Sequence, residues 1–200
     1  MKFVITLLSV AVLMSCAAPL APVSLYMENG EVAKGFATQN PYKKVKFRTE
    51  RQDKGVTYTF DEIAQAEYNT NEGIKRYIKL PVVDKEDELV VQEIVTGRVS
   101  LYTTNRQGYN PGAPMGFGAA GGMGMGFGGY AYNIDNFYLK RETETGMTHL
   151  GSNQLFTKNF IKAASDYFKD CPQLIQKIEA KDYRKKDLRA IVTYYNENCD

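Results

Sequence analysis

The sequence predicts an α+β protein: an antiparallel β-sheet or partly open β-barrel, followed by a C-terminal cap of about three helices. Three observations carry this. From Leu25 to about Arg141, short runs rich in Val, Ile, Thr and Tyr alternate with turn residues, as in successive strands. After His149 the apolar spacing changes to that of a helix. Tyr is abundant, with 14 residues, and Trp is absent, which suits strands half exposed to water.

The chain begins with a different signal. Met1-Lys2 places one positive charge before a largely apolar run, Phe3 to Met14, and small residues follow. These are the parts of a secretory signal peptide over residues 1–15. The run is about 12 residues, against the roughly 20 that a spanning helix needs. Leu13-Met14-Ser15-Cys16 resembles a bacterial lipobox, with Met14 where a small or β-branched residue is usual. Cys16 is then the lipidated residue, and the membrane is reached through an N-terminal lipid anchor. Ordinary cleavage after Ala17 is the competing reading. The Pro-rich Ala17 to Pro22 reads as extended chain, so residues 16–24 are assigned to the lipidated cysteine and a tether.

Residues 25–148 are assigned to the β-domain. Leu25–Glu28 and Glu31–Phe36 flank Asn29-Gly30, the pair favoured in a two-residue type I′ hairpin turn. Val45, Phe47 and Thr49 alternate with Lys44, Lys46 and Arg48, giving one packed and one charged face. Asp53-Lys54-Gly55 turns the chain into Val56–Phe60. Further strands are expected around Gln65–Asn69, Ile74–Val83, Leu89–Val95, Arg98–Thr104 and Tyr130–Arg141, with Asp84–Glu88 as a solvated turn.

Residues 149–200 are assigned to the helical cap. Phe156, Phe160, Ile161, Ala164, Tyr167 and Phe168 share one helical face. Asp170-Cys171-Pro172 breaks that helix and opens a second over Gln173–Glu179, because Pro suits a first turn. A third turns Leu188, Ile191, Val192 and Tyr195 inward. With Cys16 lipidated, Cys171 and Cys199 remain as an even pair in an oxidising compartment, and a disulfide between them is expected. It would stabilise by about 3–4 kcal/mol.

Several segments resemble a family of exported proteins common in Bacteroidota, to which no activity is assigned. They are Glu28–Gly35, Val45-Lys46-Phe47, Phe60–Ile63, Val95–Tyr102, Tyr167–Pro172 and Ile191–Cys199. The resemblance implies a cell-envelope setting and the strands-then-helices plan. Surface-exported lipoproteins of that group carry acidic residues soon after the lipidated cysteine, and Ala17–Pro22 has none. This implies the periplasmic side of the outer membrane.

Candidate sites are few. Gly108–Gly129 contains ten Gly in 22 residues, interleaved with Met115, Phe117, Met123, Met125 and Phe127. Its Gly116-Phe117-Gly118-Ala119-Ala120-Gly121 lacks the helix that a dinucleotide site requires. A loop serving as a spacer is one reading. The other is a partner-binding loop, since Met and Phe on a pliable backbone adapt to an apolar partner. Lys43, Lys44, Lys46, Arg48 and Arg51 could touch lipid head groups or acidic glycans. Lys181, Arg184, Lys185, Lys186 and Arg189 form a second basic group, diluted by Asp182 and Asp187. Solvated surface is the simpler account of both. His149 is the sole histidine, read as part of a strand-to-helix connection. Glu142 and Glu144 would share one strand face.

No cofactor, metal set or catalytic constellation is evident, and a net charge of +2 gives no nucleic-acid footprint. The expectation is a lipid-anchored envelope protein acting as an accessory subunit or scaffold for another envelope protein. The alternatives are an enzyme on envelope polymers and an adhesin using the Gly-rich loop.

Overall fold

The computed structural model describes residues 19–83, 85, 86, 88–110, 130–153 and 159–199. Among the described residues, ten strands form one open antiparallel sheet and three helices follow. The strands are β1 (Leu20–Met27), β2 (Val32–Thr38), β3 (Val45–Arg48), β4 (Val56–Tyr58), β5 (Ile63–Thr70) and β6 (Gly73–Pro81). Then come β7 (Glu88–Val95), β8 (Val99–Asn110), β9 (Tyr130–Arg141) and β10 (Thr148–Ser152). The helices are α1 (Asn159–Tyr167), α2 (Pro172–Glu179) and α3 (Leu188–Asn198), with a 3₁₀ turn at Lys185–Asp187 leading into α3. Across the sheet the order is β10-β9-β8-β7-β6-β5-β1-β2-β3-β4. No described helix is long and apolar enough to cross a membrane.

Period-two burial is plainest in β1 and β3. In β1, Ala21, Val23 and Leu25 point inward and are at most 4% exposed, which draws Leu20–Ser24 out of the expected tether and into the sheet. Pro22 is tolerated because β5 pairs with β1 only from Val23↔Tyr68 onward. At Pro22 only β2 flanks the strand, through Pro22↔Phe36, so the missing N–H leaves no ladder partner stranded.

The β1–β2 turn also differs from expectation. Gly30 N–H bonds to Met27 C=O at 3.0 Å and Met27 N–H to Glu31 C=O at 2.8 Å. Gly30 has φ +87°, whereas Asn29 does not take a positive φ. This is a three-residue turn with its left-handed position at Gly30, and the Asn29 side chain instead caps Glu31 N–H at 3.0 Å.

At the other boundary, His149–Ser152 belong to β10 rather than to the helical cap. Leu150 is 7% exposed and packs in the same cluster as the helices, which holds this segment against β9.

The core has three parts. Val23, Leu25, Ala37, Val45, Phe47, Ile63, Ala66 and Tyr68 fill one end of the sheet. Val99, Leu101, Leu139 and Leu150 meet Phe160, Ala164, Phe168, Leu174, Ile178, Leu188, Ile191, Val192 and Tyr195, which docks the cap on β8–β10. On the opposite face, Val91, Tyr102 and Tyr138 lie under Val82 and Met147. These two form a parallel bridge, with Val83 N–H to Met147 C=O at 2.9 Å and Met147 N–H to Pro81 C=O at 2.8 Å. Gly146 permits the approach, because a Cβ there would stand 3.2 Å from Pro81 O. The bridge draws the end of β6 onto the β9–β10 connection, so β6 to β10 wrap around this third cluster.

Candidate functional site

The longest pairing in the sheet is β8 with β9, twelve rungs from Val99↔Arg141 to Asn110↔Tyr130. Its neighbours are shorter. β7 pairs with β8 no further than Gln92↔Thr103, and β10 pairs with β9 no further than Ser152↔Asn136. Asn153 N–H adds one bond to Asp135 C=O at 2.9 Å. Beyond Asn105 and Asp135, neither strand has another strand beside it among the described residues. The five rungs from Arg106↔Ile134 outward form a free two-stranded ribbon. At about 3.4 Å per residue it extends about 17 Å past its root. The Gly-rich stretch begins inside it, since Gly108, Tyr109 and Asn110 are the last residues of β8 rather than loop.

An isolated two-stranded ribbon is marginal in water, so its root needs fixing. Asn105 Nδ2 donates to Asp135 Oδ1 at 2.6 Å and also to Asn133 Oδ1. Asn153 Nδ2 donates to Asp135 Oδ2 at 3.1 Å, and Thr103 Oγ1 to Asn136 C=O at 3.1 Å. The phenol of Tyr42, from the β2–β3 connection, lies across the sheet near the Asn105 backbone and Asp135, where β7 has diverged. Its ring meets Tyr77 edge-on at 5.6 Å, and Tyr77 meets Tyr68 likewise at 5.5 Å. Burial pushes the Tyr77 phenol up to about 12, and burial also raises Tyr42 and Tyr68, so this trio is neutral at physiological pH.

The other end of the same two strands is bolted to the cap. Arg141, the last residue of β9, forms a two-pronged pair with Asp170: Nη1 to Oδ2 at 2.8 Å and Nη2 to Oδ1 at 2.9 Å. Nη2 also donates to Tyr167 C=O at 2.8 Å, and Nη1 to the Tyr195 hydroxyl at 2.5 Å. The Tyr195 O–H donates in turn to Asp170 Oδ2 at 2.6 Å. The Arg141 guanidinium beside Asp170 holds its carboxyl below the usual carboxylate range. The next residue, Cys171, is disulfide-bonded to Cys199 at the end of α3. At the start of β8, the Asn196 side chain acts as a strand partner: Val99 N–H donates to Oδ1 and Nδ2 donates to Val99 C=O, both at 2.9 Å. Gly97 leaves room for it, since a Cβ there would meet Asn196 Nδ2 at 2.4 Å.

The expected disulfide between Cys171 and Cys199 is present. Cys16, together with Met115, Phe117, Met123, Met125 and Phe127, lies outside the described residues. Glu142 and Glu144 lie in the β9–β10 turn, not on a strand face. Glu144 Oε2 accepts Arg141 N–H at 2.8 Å and Tyr167 O–H at 2.9 Å, whereas Glu142 is exposed. The turn places one carboxylate on the cap and one in water, so they do not face a common substrate. His149 is in β10, its ring 5.0 Å from that of Tyr138, where burial lowers its pKa. Lys43, Lys44, Lys46 and Arg51 are exposed, as are Lys181, Arg184, Lys186 and Arg189. Sequence reasoning missed Tyr42, Asn105, Asp135, Arg141 and Asn196. Only Arg141 carried a signal, as the charged end of a strand facing the Asp-Cys-Pro break.

The fold and this arrangement define a class by architecture: an open sheet, a stapled helical cap and a projecting β-ribbon. Compared with protein-family models, curated proteins and solved structures, the chain matches none.

Proposed function

We propose that this is an exported, lipid-anchored cell-envelope protein that binds another envelope protein, as an accessory subunit or scaffold, through the β8–β9 ribbon and its Met/Phe-bearing tip. The ribbon is the observation that carries the reading. A two-stranded extension is marginal in water by itself, and here Asn105, Asp135 and Asn153 are hydrogen-bonded together at its root. Free ribbon edges offer backbone N–H and C=O groups to a partner strand, and the sequence joining β8 to β9 carries Met115, Phe117, Met123, Met125 and Phe127, side chains that suit an apolar partner.

The test is a shortened arm. Joining Asn105 to Asp135 through an Asn-Gly turn removes the ribbon beyond its root and leaves every other strand pairing intact. Affinity purification from detergent-solubilised membranes should recover a stoichiometric partner with the full chain and lose it with the shortened one, at closely similar melting temperatures. Changing the five tip residues to Ser should have the same effect. Undiminished recovery with both variants would refute the ribbon as the contact. Anchoring is tested separately: a fatty-acid analogue should label the wild type and not Cys16→Ser, and equal labelling of both would refute it.

A further inference from the structure

We propose that the basic strip on β3 and the turn after it is a second membrane contact, which binds anionic lipid head groups beside the anchor. The assignment deepens the anchored reading and rests on it for its geometry. Between Lys43 and Lys54 there are six basic residues and two acidic ones, an excess of four in a chain whose whole excess is two. The alternation along β3 buries Val45 and Phe47, at 1% and 7% exposed, and so turns Lys44 and Lys46 to the outer side, while the half-buried Arg48 donates Nη1 to Arg51 C=O. Lys43, Lys44 and Lys46 are exposed and join none of the ion pairs among the described residues, whereas Lys75, Arg76, Lys79, Lys162 and Arg141 all do. The two acids are spent on closing their own turn: Asp53 Oδ2 accepts Glu50 N–H at 2.8 Å, and Glu50 Oε2 accepts from Gln52.

Position supplies the rest. Leu20 pairs with Thr38 and Ala37 with Phe47, so Lys46 lies in the same row of the sheet as Leu20. Arg51 Nη1 donates to Leu20 C=O at 3.4 Å, its guanidinium stacked 4.5 Å above Phe36. Leu20 and Arg51 also line an open cleft of about 360 Å³ with Gln39, Asn71 and Lys75. Because the sheet starts at Leu20, only Ala17, Ala18 and Pro19 separate it from Cys16. Four residue steps span at most about 14 Å, even fully extended. An acyl chain on Cys16 therefore keeps Leu20 within about two Debye lengths of the head-group phosphates, at about 8 Å each in physiological salt. Lys46 lies two strands, about 10 Å, further along the same row. One lipid anchor combined with a polybasic patch is the combination that gives a stable and oriented attachment.

The test omits the acyl chain, so that its failure is separate from failure of the lipidation reading. The chain from Ala17 onward keeps every described strand and helix. Its partitioning is measured by sedimentation with vesicles of phosphatidylcholine alone and with about 30% phosphatidylglycerol, a fraction chosen to give an anionic surface. It should bind the anionic vesicles, weaken as salt is raised, and ignore the neutral ones. Each cation near such a surface contributes about fivefold, so Lys43→Gln, Lys44→Gln and Lys46→Gln together should lower partitioning about 100-fold. The matched control, Lys181→Gln, Lys186→Gln and Arg189→Gln in the cap, should leave it within about twofold, because a patch turned away from the surface adds little beyond a Debye length. Equal losses from both triple variants would overturn the assignment, as would binding to an acidic polysaccharide without binding to the anionic vesicles.

Discussion

Asn196→Ala should loosen the joint between the cap and the sheet. The Asn196 side chain makes two 2.9 Å hydrogen bonds to Val99, one to its N–H and one from its own amide to its C=O. Val99 is 0% exposed, so water does not readily replace the lost partner. The Val99 N–H and C=O are left unpaired, and a buried unpaired group costs about 1–3 kcal/mol, so a loss of about 2–6 kcal/mol is expected. Urea unfolding gives the number, with the slope unchanged if the same surface is exposed. Gly97→Ala should attack the same joint from the other side, because its Cβ would displace the Asn196 amide and because Gly97 has φ +155°. The two changes share one interaction, so the double variant should cost less than the sum of the singles. A loss under about 0.5 kcal/mol for Asn196→Ala, or strict additivity of the pair, would refute the reasoning, since a real buried partner cannot be lost so cheaply.

Cys171→Ala with Cys199→Ala opens a loop of sequence separation 28 and should cost about 3–4 kcal/mol in urea unfolding. Amide exchange should rise in α2 and α3 and stay slow in β1 and β2; uniform loss of protection would contradict a cap-specific staple. Asp170 has its carboxyl lowered by the Arg141 hydrogen bonds, so its contribution is present above the ordinary carboxylate pKa and is lost as pH falls through the lowered folded value. The melting-temperature gap between wild type and Asp170→Asn should therefore be full at neutral pH and narrow as pH drops below about 4, the range in which an unfolded-state Asp takes up its proton; a gap that widens on acidification would reverse the assignment.

Elements whose burial is periodic were legible in the sequence. The inward set Leu188, Ile191, Val192 and Tyr195 is the buried face of α3, and Tyr130–Arg141 is β9 to the residue. The Cys171–Cys199 staple was legible because reading Cys16 as the lipidation site leaves one pairing among the three cysteines. What escaped depends on contacts between distant segments. Pro22 reads as tether chain until β5 is seen to stop at Val23, and Thr148–Ser152 reads as a connection until β9 stands beside it. The ribbon could not be foreseen because its freedom is a property of its neighbours' lengths, not of its own residues. Asn105, Asp135 and Asn196 belong to the same class: each is an ordinary polar residue whose role comes from a partner between 18 and 97 positions away.

The placement of β1 has a mechanical consequence. The strand that leads out toward the N-terminus is not at an edge. It is held by seven paired positions with β2 and five with β5. Interstrand hydrogen bonds lie across the strand axis, so traction applied through Leu20 along β1 loads them together in shear. Peeling an edge strand would break them one after another. The sheet offers such a peel at its two outer strands, β10 and the three-residue β4, of which the nearer, β4, lies three strands away from the line of force. A pull from the N-terminal side is thus borne by the middle of the sheet, while fraying is left to a border that carries no load.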